Sequence, residues 1–389
     1  MSDHQTYPVI IAGGGPVGLY LALRLIQSGI KCLVLEQKPE IDKHSKSLGV
    51  HPVSLELFDE LNIAHRFIEK GTKIYKGHAF ADDSLIGTIS FEDCPPPFNF
   101  ILTLPQNMTE QILQDELQNA DPECLKRGIE LVDFDQAGQS VHLTCRREED
   151  ILQYQTEWLI GCDGKNSIVR KKAGLTFEGK QYPDTYIMGD FKDCTSFGSD
   201  AAVYLHRDGL VESFPLPNGQ RRWVLKTDHY IENPNHPLLA NLLKNRISID
   251  ISRNPMHMIG SFGVQHLLAN TLNSGRILLA GDSAHVVSPI GGQGMNLGWI
   301  SANILFHALY QLHSENRYAD AEQILQSYSD FTRRIALQVA LRAEINMRLG
   351  RKQNLPVLRQ LMIRVLVNSP LKKTLAKVFT MRGLGKWWF

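Results

Sequence analysis

Three glycines and one carboxylate near the start of the chain are spaced to hold a dinucleotide. In VIIAGGGPVGLYLALRLIQSGIKCLVLE, residues 9–36, Gly13, Gly15 and Gly18 stand in GxGxxG spacing. In a strand-turn-helix unit the first glycine gives the tight turn, the second lets a pyrophosphate approach the backbone, and the third lets helix and strand pack closely. Glu36 follows eighteen residues after Gly18, where a carboxylate accepts hydrogen bonds from an adenosine ribose. Two later carboxylates, Asp163 and Asp282, also follow short apolar runs; for Asp282, an acid at a strand's end suits a polyol hydroxyl. Gly291-Gly292-Gln293-Gly294 then precedes a long apolar stretch. The open N–H groups of a helix start there present partial positive charge to an anion.

These residues need strands and helices to position them. Residues 9–12 form a continuous apolar run bounded by glycine, which predicts a buried parallel strand. Apolar residues at helical spacing predict a helix over 17–27, Ser28-Gly29 stop it, and residues 31–35 read as the second strand. Residues 277–280 read as another buried strand and 295–309 as a helix. Between 99 and 160 a helix at 108–117 is followed by strands at 130–134, 141–146 and 151–160. From 182 to about 266, β-type segments broken by proline and glycine predict an antiparallel sheet inserted into the nucleotide-binding fold. After residue 320 the chain reads as mostly helical.

The 389 residues suffice for a large core and two domains, or one with a substantial insertion. The expected division is 1–180 with 265–320 for the nucleotide, 181–264 for the substrate, and 321–389 as a helical C-terminal region. The six cysteines are scattered without a CxxC pair, so neither a disulfide framework nor a metal site is expected. No apolar run approaches the ~20 residues of a spanning helix, and the polar start MSDHQTYP is no signal peptide. The expected location is therefore cytoplasmic, and nothing points to nucleic acid.

Two further stretches, WLIGCDGKNSIVR (158–170) and GRILLAGDSAHVVSPIGGQGMNLGWISANIL (275–305), resemble the signature motifs of the class A flavoprotein monooxygenases. This is the para-hydroxybenzoate hydroxylase and ubiquinone-biosynthesis hydroxylase family. With the N-terminal fingerprint, the motifs span nearly the first 310 residues in the family's order. The resemblance implies an α/β fold: a Rossmann-like FAD-binding domain, an inserted antiparallel-sheet substrate domain and a helical C-terminus. It implies FAD, with NADPH or NADH as reductant. Asp282 would hold the ribityl chain, Asp163 would serve cofactor binding, and the flavin N1 and C2 carbonyl would lie over Gly292, Gln293, Gly294, Met295 and Asn296, with Pro289 beside the ring. SKSLGVHPVSLELFDELNI (45–63) and LPQNMTEQIL (104–113) resemble further family segments. They offer Lys46, where the family usually has arginine, and Gln106. Lysine is a point charge rather than a planar fork.

The implied reaction is single-component: reduced flavin adds oxygen at C4a, and the hydroperoxide passes one oxygen atom to an aromatic, quinone-like or polyene substrate. No catalytic base is assigned, because the flavin carries the hard step; His51 and His285 read as core histidines. Tyr204, Phe214, Leu216 and Pro217 are the expected pocket walls. The alternative is a flavin-dependent reductase of the geranylgeranyl-reductase type, which shares the scaffold.

The charge balance is zero over the chain, yet residues 345–389 hold ten Lys and Arg and no Asp or Glu. The other 344 residues thus carry 31 basic against 41 acidic side chains. Ser369 as N-cap and Pro370 at the first helical position predict a helix from 370 to about 380, with Leu371, Leu375, Val378 and Phe379 on one face. Together with residues 356–367 and the terminal Trp387-Trp388-Phe389, two readings follow. The basic, aromatic-ended tail lies peripherally in a bilayer interface, or it packs as a helical lid on the enzyme's own acidic body.

Overall fold

The computed structural model describes residues 5–45, 47–81, 84–351, 356–382 and 384. Its first sheet is built on five parallel strands in the order Ile277–Leu279, Asp150–Gly161, Gln5–Ala12, Cys32–Glu36 and Leu125–Arg127. Val9, Ile10 and Ile11 are fully buried in the central strand, as an unalternating apolar run requires. Helices Pro16–Gln27, Gln106–Ala120 and Gly294–His313 supply the apolar residues that share this core. The antiparallel strands Glu130–Ala137 and Ser140–Arg147 lead into Asp150–Gly161 from its other end.

The second sheet has eight strands: His285–Val286, Met256–Ala269, Phe177–Lys192, Gln220–Thr227, Gly209–Leu216, Ala201–His206, Lys76–Ala81 and Ser84–Ser90. Side chains alternate across it. Ile187, Ala202, Tyr204, Val211, Trp223 and Leu225 face helix His236–Ile247. Met188, Leu205, Leu210 and Val224 take the opposite face with Val264, Ile290 and Met347. The expected confinement of this sheet to 181–264 is corrected by its edge hairpin, 76–90, which precedes it in sequence by about a hundred residues. That hairpin joins through a parallel pairing, Ala201–His206 with Lys76–Ala81, and such a non-local crossover leaves no trace in local pattern.

The helical region beyond 320 is divided between the two sheets. In helix Ala321–Gly350, Tyr328 donates to the Leu279 carbonyl and Ser329 accepts from the Leu272 amide, while Ile335 and Val339 complete the first core. Its end delivers Met347 under the second sheet. Helices Pro356–Asn368 and Lys372–Phe379 follow.

The second of these starts two residues later than expected. The Ser369 hydroxyl donates to the Leu366 carbonyl and accepts from the Leu371 amide, and its carbonyl accepts from the Lys372 amide, so Ser369 closes one helix and also holds the turn that leads into the next. Leu371 consequently stands 53% exposed instead of lining the apolar face. Asn368 ties the tail to the edge hairpin through the Ile86 carbonyl at 3.0 Å, and Arg382 reaches Glu56 and the Pro95 carbonyl. The terminal Trp387-Trp388-Phe389 lies outside the described residues.

Candidate active site

The glycine turn is shaped by what surrounds it. A Cβ on Gly18 would stand 2.0 Å from the Gly13 carbonyl oxygen, so only glycine permits this helix to pack so closely on the turn. Beside Gly15 the space is open, and helix Pro16–Gln27 begins there with no side-chain cap. Its first N–H groups are thus free to meet an anion. Glu36 accepts from the Gly14 amide at 2.6 Å and from the Lys38 amide at 2.8 Å. It holds the turn's shape while lining the same cavity.

Asp163 spends one oxygen on the short helix Ile168–Lys172, accepting from the amides of Ile168 at 2.7 Å and Val169 at 3.2 Å. Among the described residues its other oxygen is buried without a partner, and burial pushes its carboxyl pKa upward. Arg170 in that helix braces the Ser283 and Lys165 carbonyls. Asp282 sits in the turn Gly281–Ser283 with its side chain exposed to the cavity. The Ser283 hydroxyl, beside it, bonds the Gly161 and Ala280 carbonyls and joins the ends of two neighbouring strands.

Gly291 and Gly292 both take positive φ, +92° and +65°, which brings the chain round to the start of helix Gly294–His313. The first intrahelical bond runs from the Leu297 amide to the Gln293 carbonyl. The amides of Gly294, Met295 and Asn296 have no partner within the helix. Pro289, Gly292, Gly294 and Met295 line the cavity.

The side chains of Gln293 and Asn296 do not line it. Gln293 is buried, its side-chain carbonyl oxygen unpartnered among the described residues. Asn296 is wholly occupied: it donates to the Gly49 and Gly292 carbonyls at 2.9 and 2.8 Å and accepts from the His51 amide at 2.8 Å and the Ser54 hydroxyl at 2.7 Å. Gln106 lines the cavity, donating to Glu110 at 2.9 Å while its own amide donates to the Ser45 hydroxyl at 2.7 Å. Lys46 lies outside the described residues.

A single cavity of about 1930 Å³ runs from the Gly13–Gly15 turn, past Asp282 and the start of helix Gly294–His313, to the inner face of the second sheet. Of the expected walls, Phe214 lines it. Tyr204 does not, because strand alternation turns it to the far face, where it stacks on Phe80 at 4.8 Å. Leu216 and Pro217 fall at the strand's end, away from the cavity lining. The residues that take their place include Met188, Leu210, Glu212 and Val224. Arg222 also faces the cavity, held by Asp190 at 2.6 and 2.8 Å and by the Ser45 carbonyl at 2.9 Å. Across from the sheet, Leu366, Val367, Leu375 and Phe379 of the tail close the space.

The family model described as an FAD binding domain matches residues 6–343. An uncharacterized aromatic compound monooxygenase of Bacillus subtilis is 31% identical, the match covering 82% of this chain and 67% of the relative. Rifampicin monooxygenase of Streptomyces venezuelae is 29% identical over 86% of this chain and 69% of its own. The chain therefore spans about two thirds of the length of these relatives. Among solved structures, the anhydrotetracycline hydroxylase of Streptomyces rimosus superposes with a TM-score of 0.80 at 26% identity, covering 97% of this chain and 76% of that one. The p-nitrophenol 4-monooxygenase of Pseudomonas putida reaches 0.88 at 19% identity, over 97% and 98%, a likeness of fold.

Two outcomes follow from the geometry. Asn296→Asp keeps the acceptors and loses both donors, setting a carboxylate against two carbonyl oxygens. Unfolding free energy should fall by on the order of 3 kcal/mol, read from urea denaturation; an unchanged midpoint would contradict the role given to Asn296.

The second concerns pH. Burial lowers His51 and His285 from 6.5 to about 4. The unfolded chain takes up protons at these residues near 6.5 and the folded chain does not, so stability present above that pH is lost as it falls towards 4. Glu212, raised by burial from 4.5 to about 7, acts oppositely: its cost to the fold is relieved as pH falls from 7 to 4.5. Two groups against one leave a net loss of about 2 kcal/mol between pH 7 and 4.5. Tm of the ligand-free protein should fall over that range, less steeply in His285→Phe; a flat profile would refute the assignment.

Proposed function

The chain belongs to the FAD-binding-domain family of flavoprotein monooxygenases, and from that premise we propose that it uses NADPH or NADH and molecular oxygen to hydroxylate or epoxidise an aromatic, quinone-like or polyene small molecule, acting as a single component. The observation that carries the reading is the continuous cavity, which joins a dinucleotide turn to an apolar sheet face. The names of the relatives support it, since they are monooxygenases and hydroxylases of aromatic compounds, rifampicin, pentachlorophenol and anhydrotetracycline. The reductase alternative finds no such support.

The residues fit FAD. Gly15 leaves room for a pyrophosphate, Glu36 stands where a ribose is held, and Asp282 is exposed to the cavity between the turn and the helix start. When bound, flavin supplies the redox and oxygen chemistry. The amides of Gly294, Met295 and Asn296 favour negative charge on a ring edge placed over them. Met188, Phe214, Val224 and Ile290 form an apolar wall, and Leu375 and Phe379 cover it from the tail. Their work is to exclude water while the substrate is oxidised.

The protein should purify with FAD bound, and Asp282→Ala should strip most of it while leaving the fold soluble. Aromatic compounds should stimulate NAD(P)H oxidation and yield a product one oxygen atom heavier, labelled from ¹⁸O₂. A reduced, unoxygenated product would overturn the reading.

The tail supports a second, peripheral role. Among the described residues no helix is long and apolar enough to cross a membrane. Yet Leu361, Met362, Val365 and Leu371 are each more than half exposed, next to exposed Arg364, Lys372 and Lys373. Such a face suits contact with an anionic bilayer, where each basic residue adds about 1 kcal/mol. The protein should sediment with anionic liposomes at low salt; remaining in the supernatant would exclude the contact.

A further inference from the structure

Strand Gly209–Leu216 sends Leu210, Glu212 and Phe214 into the cavity, and Glu212 is the one carboxylate among them. Its cross-strand neighbours are Val203 and Val224, so the sheet offers it only methyl groups. The residue is 8% exposed, and among the described residues no hydrogen bond or ion pair reaches its carboxyl. Arg222 and Lys226, the two cations equally near on the same sheet face by register, are committed to Asp190 and Asp184.

A buried carboxyl without a partner is costly. The other buried carboxylates of this sheet show the ordinary solution: Asp190 takes Arg222, and Asp184 takes Arg351 at 2.6 Å with Lys226 at 3.7 Å. Glu212 has none, and burial alone accounts for the rise of its pKa to about 7. Tyr186 packs nearby on the same face, its hydroxyl also unpartnered, and Glu212 contributes to holding that phenol protonated. Glu212 lines the space where an apolar substrate would lie, with Tyr186 buried behind that lining. An acceptor so placed is satisfied by a ligand that brings its own hydrogen-bond donor.

Resting on the monooxygenase reading, we propose that Glu212 is a specificity-determining residue that accepts a hydrogen bond from a hydroxyl group of the substrate, so that the cavity selects neutral, hydroxyl-bearing aromatics, phenols or enols, over the same ring systems with the hydroxyl capped or replaced by a carboxylate. Above about pH 7, where Glu212 is ionised, a substrate carboxylate would meet like charge there, and the comparison is made at such a pH. A capped hydroxyl would leave the acceptor buried and unmet, which a site built for a hydroxyl rejects strongly.

The test measures binding, not turnover. FAD-loaded protein is titrated with 2-naphthol, 2-methoxynaphthalene and 2-naphthoate, with affinity read by equilibrium dialysis and by the perturbation of the flavin spectrum. Wild type should bind 2-naphthol at least about tenfold more tightly than either analogue. In Glu212→Leu the naphthol preference over the methyl ether should shrink below about threefold through lost naphthol affinity, and in Glu212→Gln the naphthoate should bind more tightly than in wild type. Equal binding of naphthol and its ether by wild type, failure of naphthol to bind, or an undiminished preference in Glu212→Leu would each overturn the proposal. The wild-type comparison stands even if a variant fails to fold. Oxygen transfer is read separately by product mass, so a monooxygenase that ignores the hydroxyl would sink the Glu212 assignment alone.

Discussion

The structure depends on the four hydrogen bonds of Asn296. This one side chain, buried in the first turn of helix Gly294–His313, fixes the helix start to the Gly49 carbonyl, to the Gly292 carbonyl, and to the amide and hydroxyl that open helix Pro52–Glu60. The same helix is locked to the glycine turn less than one turn further on. Trp299 donates to the Pro16 carbonyl at 3.0 Å, and Gly298 lies so close to Val17 that a Cβ would stand 2.5 Å from its side chain. Two helix N-termini, far apart in sequence, are thereby held at one cavity. Each is a site for negative charge, and a dinucleotide with a reducible ring presents two such groups: a pyrophosphate and an anionic ring edge.

The second sheet adds what a nucleotide fold lacks, an apolar surface facing those helix starts. Both of its faces are buried, one by helix His236–Ile247 and one by the cavity and the tail. Polar groups on the cavity face therefore stand out energetically: Arg222 is neutralised by Asp190, whereas Glu212 is not. The basic tail crosses this cavity through Leu375 and Phe379 while Arg351 and Arg382 anchor its ends to Asp184 and Glu56. Those two arginines meet carboxylates of the body, and the tail's inner apolar residues complete the wall.

Much of the nucleotide half was legible in sequence because its constraints are local. The run VIIA, the glycine spacing, Glu36 and the helix after Gly294 all lie where short-range pattern predicts. The function of individual polar side chains was not legible in the same way. Nothing in the sequence says that Asn296 is a structural pin whose only free polar group, among the described residues, is its backbone N–H, or that Asp163 spends an oxygen capping a five-residue helix. The pocket walls failed for a different reason. In a strand buried on both faces, AAVYLH or GLVESFPL, apolar residues occupy both phases, so alternation cannot tell Tyr204 from Val203. The one available signal was chemical: Glu212 is an acid on the phase occupied by Leu210 and Phe214. The hairpin 76–90 and the late start of the last helix depended on contacts between distant segments and on one serine hydroxyl.

The central claim is that the open amides of Gly294, Met295 and Asn296 hold the charged edge of a reduced flavin. The midpoint potential of the protein-bound flavin, measured by equilibration with reference dyes, tests it most directly. Stabilising the anionic reduced ring at a helix N-terminus makes that potential less negative than that of free FAD under the same conditions. A potential equal to or more negative than that of free FAD would contradict the account.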